Sequence, residues 1–387
     1  MKIMYIIKAF AMKAGLERVV SDKINYLAEH GYEVSLITYE QGNHPLSFSL
    51  HTSVHFYNLD ARFFKLSQLP LWKRPIVMWQ MRRRFKKGLQ QTVDIEQPDI
   101  IIATTYSMKI LDIILSIQTK AHRLIESHIA CYTVRKTYDY RNNLLLHSIA
   151  KLYDKWTFRN IGKFEKLIVL TQGDAQDWSQ YIKDVVVIPN PLTCYPDGVR
   201  PHDGTGHRII CAGRLSEQKG FDLLVEAFSQ IAGQCPAWHI DIFGSGEDEQ
   251  KLHNKIHQHR LDERIKIFPP SSRIYDEYQN SEFFVLSSRY EGFGLVLIEA
   301  MACGIPCVSF RCKYGPEEIV TNGINGLLVE NGDVRALAES ILFMINHSEE
   351  RLRMGIAARE MTRCFQKDII MKEWIELFDS KEMNDNE

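Results

Sequence analysis

Two carboxylates, Glu291 and Glu299, are separated by seven residues in a run that begins Ser288-Arg289-Tyr290-Glu291-Gly292-Phe293-Gly294-Leu295 and continues to Pro306. The apolar residues 283–286 before it read as a strand, and the apolar residues from Leu295 onward read as a helix opened by the glycines. A strand, a glycine turn and a helix start suit an anionic ligand. Free backbone N–H groups and the helix dipole both favour negative charge there. Glu291 falls at the turn and Glu299 more than one turn into the helix, so one reaches the outer end of a ligand and the other its middle. Paired carboxylates also serve hydrolases, as acid and nucleophile.

A second group is Gly213-Arg214-Leu215-Ser216-Glu217-Gln218-Lys219-Gly220, between a strand ending at Ala212 and a helix starting at Phe221. Arg214 offers a planar fork and Lys219 a mobile point charge, a suitable clamp for a diphosphate. Taken by itself the segment also reads as a solvated basic turn. Gly244-Ser245-Gly246 is a partial dinucleotide fingerprint without its third glycine, and a plain turn explains it equally. Gly15 precedes a helix at 16–30, where a glycine lets backbone approach a phosphate. His128 follows a strand at 123–126 and stands at that strand's carboxyl end; a lone histidine there is commonly structural. Gly315-Pro316-Glu317-Glu318 reads as a capped helix start.

Strands and helices alternate along the chain, and this alternation must position these groups. Strands are expected at 2–7, 33–38, 99–103, 123–126, 167–171 and 185–188, continuously apolar or β-branched as in a parallel sheet covered on both faces. Gly31 suits the C-terminal end of the first helix. Residues 193–207 carry Pro196, Gly198, Pro201, Gly204 and Gly206, a linker composition. Strands follow at 208–212, 238–243, 265–268, 283–286, 306–310 and 326–329, and then a helical tail over 334–378 with breaks near His347 and Phe365. The fold class expected is α/β, with two Rossmann-like βαβ domains facing a central cleft and C-terminal helices packing back toward the first domain. The domains are 1–192, 193–365 and a returning helix at 366–387 whose acidic end is frayed.

The chain has 387 residues, 45% hydrophobic and 25% charged, enough for two cores. A net charge of −1 gives no global field for nucleic acid, and no nucleic-acid motif occurs. The N-terminus meets charge at Lys8, too early for a signal-peptide core, and no run is long enough to span a membrane. The eight cysteines include no C-x-x-C pair, and Cys303, Cys307 and Cys312 read as small buried residues, which suits a reducing cytoplasmic setting.

Taken together, Gly213-Arg214-Leu215 with Lys219-Gly220, the Gly-Ser-Gly turn, and Glu291-Gly292-Phe293-Gly294 with Glu299 resemble a retaining GT-B glycosyltransferase of the large family 4, or group 1, type. The resemblance is clearest over 209–332. It implies that Glu291 lies by the donor sugar and the reacting centre and that Glu299 holds the ribose. Backbone amides of Gly292, Phe293, Gly294 and Leu295 would meet the sugar or diphosphate, and Arg214 and Lys219 would neutralise the departing diphosphate. It also implies that Gly15 lines the donor site, although relatives often carry two adjacent glycines where this chain has Ala14-Gly15-Leu16, and that His128 bonds the donor sugar. Fixed cations would replace a divalent metal, so no metal or other cofactor is expected. The phosphate-binding elements would serve no purpose in a glycosidase.

Between Asp60 and Asp94 there is no acidic residue. From Arg62 to Lys87 the chain carries Lys65, Lys73, Arg74, Arg82, Arg83, Arg84 and Lys86, interleaved with Phe63, Phe64, Leu71, Trp72, Ile76, Met78, Trp79 and Phe85. This suits either an anionic membrane surface or a helix packed on the sheet with solvated arginines. A second aromatic and basic stretch, 132–159, is a candidate for the acceptor side. The activity expected is transfer of a hexosyl or N-acetylhexosaminyl unit from a nucleotide-sugar, most simply a UDP-sugar, to a glycan or lipid-linked acceptor. The setting would be bacterial surface polysaccharide or glycolipid synthesis at the inner membrane face. The alternatives are a nucleotide-sugar 2-epimerase of the same fold and a catalytically silent scaffold.

Overall fold

The computed structural model describes residues 1–11, 14–135, 144–199 and 205–380. The acidic end of the chain, part of the linker and part of the second basic stretch lie outside the described residues. The chain divides into two compact units, residues 1–189 with 371–387, and residues 190–370.

The first unit holds a seven-stranded sheet of Lys2–Ile7 (β1), Glu33–Thr38 (β2), His55–Asn58 (β3), Ile100–Thr104 (β4), His122–Glu126 (β5), Lys166–Val169 (β6) and Val185–Val187 (β7). Every pairing is parallel, in the order β3-β2-β1-β4-β5-β6-β7. β1 and β4 are buried almost throughout, as strands covered on both faces must be. β3 escaped the sequence reading because three of its four residues are exposed at the sheet edge, so it lacks the apolar signature. The helix Gly15–Glu29 ends on His30, and Gly31 follows at φ +84°, the left-handed position that glycine fills at a helix end.

The helices Arg74–Glu96, Leu111–Leu115 and Leu144–Ile161 share one apolar cluster, with Phe85, Leu89 and Val93 of the first packed beside Ile113, Ile114 and Phe158 of the others. The helix Arg74–Glu96 is thus anchored by its second half, while Ile76 and Trp79 in its first half are exposed. At the end of the chain, the helix Lys367–Phe378 brings its last turns into the first unit, where Phe378 meets Tyr32 edge-on at 6.4 Å between ring centres.

The second unit holds a six-stranded parallel sheet of Arg208–Ala212 (β8), His239–Phe243 (β9), Ile265–Phe268 (β10), Phe283–Leu286 (β11), Cys307–Arg311 (β12) and Gly326–Glu330 (β13), in the order β10-β9-β8-β11-β12-β13. The strand order reverses between β8 and β11. In open α/β sheets that reversal is where ligands bind, beyond the carboxyl ends of the strands. Cys303, Cys307 and Cys312 are buried, and burial pushes the Cys307 and Cys312 thiols up to about 12, so they pack as small apolar residues. Among the described residues, no helix is long and apolar enough to cross a membrane.

Candidate active site

The loops after β8 and β11 are bound to each other at the reversal point. Arg289 N donates to Gln218 O at 2.8 Å, Gln218 Nε2 to Tyr290 O at 3.1 Å, and Ser287 Oγ to Lys219 O at 3.0 Å. The Arg289 guanidinium forks onto both Asp222 oxygens at 2.8 and 2.7 Å and also donates to Glu217 O at 2.7 Å. Burial raises the Asp222 carboxyl, but Arg289 outweighs that and holds it below the usual range. Gly220 turns at φ +61°, and a Cβ there would stand 2.1 Å from Ser287 O, so only glycine lets the two loops come this close.

This frame brings Lys219 and Glu291 together. Lys219 Nζ donates to Glu291 Oε1 at 2.6 Å, and Ser288 Oγ donates to the same oxygen at 2.6 Å. Both side chains are largely buried, yet an ammonium has three donors and this bond uses one. Gly213 lies directly beneath the lysine, and a Cβ there would meet Lys219 Cε at 3.3 Å. Ser288, present in the sequence motif but given no role, is the residue that sequence reasoning missed. Its hydroxyl type and spacing three before Glu291 carried the signal.

Gly244 and Gly246 have a structural task as well. Gly213 N donates to Phe243 O, Leu215 N to Ser245 O, and Asp248 N to Leu215 O, each at 3.0 Å, which stitches this turn to the loop after β8. A Cβ on Gly244 would lie 1.9 Å from Gly213 O, and one on Gly246 would lie 2.3 Å from Leu215 O. The Gly-Ser-Gly turn therefore sets the position of the Gly213–Lys219 backbone.

The helix Leu295–Ala302 starts after Gly294 at φ +96°, and no side chain caps it. Phe293 is buried and meets Phe365 edge-on at 5.7 Å, so its ring is a core group. Gly315 presses on Phe293 from the other side, where a Cβ would lie 2.0 Å from Phe293 O. Glu299 is buried within the helix, 7% exposed, with the Tyr278 hydroxyl at 3.5 Å from its Oε2. Burial, reinforced by Glu299, pushes the Tyr278 phenol well above its ordinary value and keeps it protonated as a donor. Arg214 is exposed and forms no ion pair with a described residue, so it stands apart from the Lys219–Glu291 pair. Pro316 opens the short helix Pro316–Ile319, with Glu317 paired to Arg311 at 3.2 Å and Glu318 in the same first turn.

In the first unit, His128 Nε2 stands 3.1 Å from Glu126 Oε1, and the same oxygen accepts from Lys23. Lys23 and Glu126 are each 1% exposed. Lys23 also sits 4.3 Å above the Trp374 ring, on the returning C-terminal helix. Burial raises the Glu126 carboxyl, but Lys23 and His128 more than reverse this and hold it at about 2. His128 thus lies against a buried ionic group that the sequence did not disclose. Gly15 is the first residue of its helix, with Glu17 in the first turn. Among the described residues, no cluster of three or more His, Cys, Asp or Glu side chains is placed to hold a metal ion.

Two family models run consecutively along the chain. The one described as "Glycosyltransferase Family 4" matches residues 14–194, and "Glycosyl transferases group 1" matches residues 198–361. The fold agrees with a crystal structure of a TarM variant from S. aureus in complex with Fondaparinux, alpha-GlcNAc-glycerol and UDP, at a TM-score of 0.77 and 16% identity over 98% of this chain and 100% of that one. The chain is a glycosyltransferase of the GT-B fold. Among curated relatives, this transferase is 26% identical to an "Uncharacterized glycosyltransferase" of Haemophilus influenzae, over 96% of the chain and 98% of the relative. It is 25% identical to the "Amylovoran biosynthesis glycosyltransferase AmsD" of Erwinia amylovora, over 96% and 98% respectively. The transferase activity takes the place of the epimerase and scaffold alternatives.

Proposed function

We propose that the enzyme transfers a hexosyl or N-acetylhexosaminyl unit from a UDP-sugar to a hydroxyl of a glycan or lipid-linked acceptor in bacterial surface-polymer synthesis. Transfer proceeds with retention of configuration and without a divalent metal. The observation that carries this reading is the Lys219–Glu291 pair at the reversal point of the second sheet, beside the uncapped start of the helix Leu295–Ala302.

Negative charge grows on the diphosphate as its bond to the anomeric carbon breaks; the acceptor oxygen bonds to that carbon from the same face, and the hydroxyl proton passes to the departing phosphate oxygen. Lys219 has two donors left for phosphate oxygens, Arg214 is an exposed cation on the same loop, and the helix start adds backbone N–H groups. These together take the place of a metal. Glu291, held by Lys219 and Ser288, faces the sugar. Glu299, deeper in the helix, holds the ribose. His128, beside Glu126, and Gly15, at the start of its helix, are the donor-binding candidates of the first unit. UDP in the TarM structure supports the choice of nucleotide.

The acceptor side supports a peripheral position on the inner face of the plasma membrane. Phe64, Leu71, Trp72, Ile76 and Trp79 are exposed beside Lys65, Lys73 and Arg83, whereas Phe63 and Phe85 of the same segment are buried in the core. Arg82 is used within the fold, bonded to Asp112 and to Lys109 O at 2.6 Å, so it does not contribute to docking. The test is incubation with a panel of UDP-sugars, with UDP release followed in the presence and absence of membrane glycolipid. Sugar-dependent release stimulated by acceptor is expected. No binding and no release with any nucleotide-sugar contradicts the reading.

A further inference from the structure

A cavity of about 500 Å³ lies in the first unit between the helix Leu144–Ile161 and the loops that carry Arg135 and Tyr181. Arg135, His147, Lys151, Lys155 and Arg159 line it, against one carboxylate, Asp154. Arg135 is rigidly placed. Its Nη2 donates to Tyr181 OH at 2.7 Å, and its guanidinium lies over Tyr181 and Phe158, two rings stacked with centres 4.0 Å apart. Arg135 Nε and His147 Nδ1 are buried and have no hydrogen-bond partner among the described residues. A buried donor such as the Arg135 Nε–H is unfavourable without an acceptor, and an anion in the cavity supplies one.

The same helix carries a second, different face. At 3.6 residues per turn, positions 151, 155 and 159 run down one flank, and positions 146, 149, 152 and 156 run down the next. Leu146, Ile149, Leu152 and Trp156 are exposed by 40%, 60%, 72% and 40%, so an apolar ridge adjoins the cationic cavity. A free anion uses only the cavity, and a neutral lipid uses only the ridge. One ligand class uses both: a phosphate carried on an alkyl chain.

We infer that this cavity binds the phosphate head of a lipid, with the chain laid along Ile149, Leu152 and Trp156. The site selects a lipid-phosphate acceptor. The inference rests on the acceptor half of the proposed function and is independent of the donor half.

The test is titration calorimetry on the full chain with three probes: decyl phosphate below its micelle concentration, inorganic phosphate, and decyl maltoside. Decyl phosphate is expected to bind about tenfold or more tighter than either of the others, because only it engages charge and ridge together. In Lys151→Ala/Lys155→Ala, affinity for both phosphates falls about tenfold. In Leu152→Ser/Trp156→Ser, decyl phosphate drops to the level of inorganic phosphate, which itself is unchanged. Decyl phosphate binding equally to wild type and to Lys151→Ala/Lys155→Ala overturns the site, and equal affinity for decyl phosphate and inorganic phosphate overturns the lipid. All four substituted residues are exposed, so both variants fold. UDP affinity is measured on the same samples. Its absence in the wild type marks failure of the donor reading, and its retention beside unchanged phosphate binding marks failure of this site alone.

Discussion

Lys219 and Glu291 are 72 residues apart in the sequence and 2.6 Å apart in space, on the loops that follow the two central strands of the second sheet. Ser288 completes the arrangement by donating to the same carboxylate oxygen. Glu291 is therefore held in one orientation by two donors, while Glu299 sits a full turn deeper in a helix. This difference in placement predicts a difference in kinetics. Glu291→Ala should lower kcat by about 10²-fold or more, the cost of losing a positioned group at the reacting centre. Glu299→Ala should mainly raise KM for the donor, with kcat close to wild type, because the ribose contact proposed for it is equal in ground and transition states. Steady-state kinetics with varied UDP-sugar separate the two, and a kcat loss confined to the Glu299 variant reverses the assignment.

The Gly244 turn gives a prediction about the frame. Its missing Cβ is replaced by Gly213 O, so Gly244→Ala forces the Lys219 loop outward at a cost of about 1–3 kcal/mol. Both Tm and UDP affinity should fall. Gly233→Ala is the control, since nothing lies within 4 Å of a Cβ there. A Gly244→Ala protein with wild-type Tm and wild-type UDP binding contradicts the stitched-loop description.

The Lys23–Glu126–His128 group predicts an acid response. The Glu126 carboxyl titrates at about 2 in the folded chain against an ordinary value of 4.5. A depressed carboxyl stabilises fully above its unfolded value and loses that contribution as pH falls through the folded one. Stability should therefore decline between pH 4.5 and about 2. Glu126→Gln should flatten this part of the profile. At neutral pH it should also destabilise the chain by about 3–5 kcal/mol, because burial already holds Lys23 below its usual range and the variant removes the carboxylate that favours its charged form. Urea midpoints measured across pH check both effects, and an unchanged slope in the variant assigns the acid response elsewhere.

For the segment beginning at Arg62, the proposed membrane docking rests on the exposed indoles. Trp72 is 72% and Trp79 60% exposed, with Lys73 and Arg83 lying over their rings. Trp72→Ser/Trp79→Ser should reduce co-sedimentation with phosphatidylglycerol vesicles by about tenfold, since interfacial indoles and basic residues act together. Unchanged sedimentation places membrane docking elsewhere.

Much of the fold could be read in the sequence, because parallel strands buried on both faces appear as unbroken apolar runs. β1, β2 and β11 begin and end as expected for that reason. β3 could not be read, since an exposed edge strand has no such run. In the site, Lys219 and Glu291 were legible as residue types after two separate strands, but their direct pairing was not, because it depends on the reversal of strand order that makes β8 and β11 neighbours. Glu126 was read only as the end of a strand. Its partner Lys23, and the Trp374 ring that Lys23 packs against, come from distant helices, and no local pattern announces a buried ion pair of that kind. Arg214 shows the converse: its type and place suggested a partner of Lys219, and the fold leaves it exposed.

The most direct test of the central claim is UDP binding to the wild type and to Lys219→Met/Glu291→Gln, measured by titration calorimetry. The double variant removes both charges together, so neither side chain is left buried and unpaired, and it should fold. The account predicts saturable UDP binding to the wild type and a loss of about tenfold or more in the variant. Equal UDP affinity in the two proteins contradicts it.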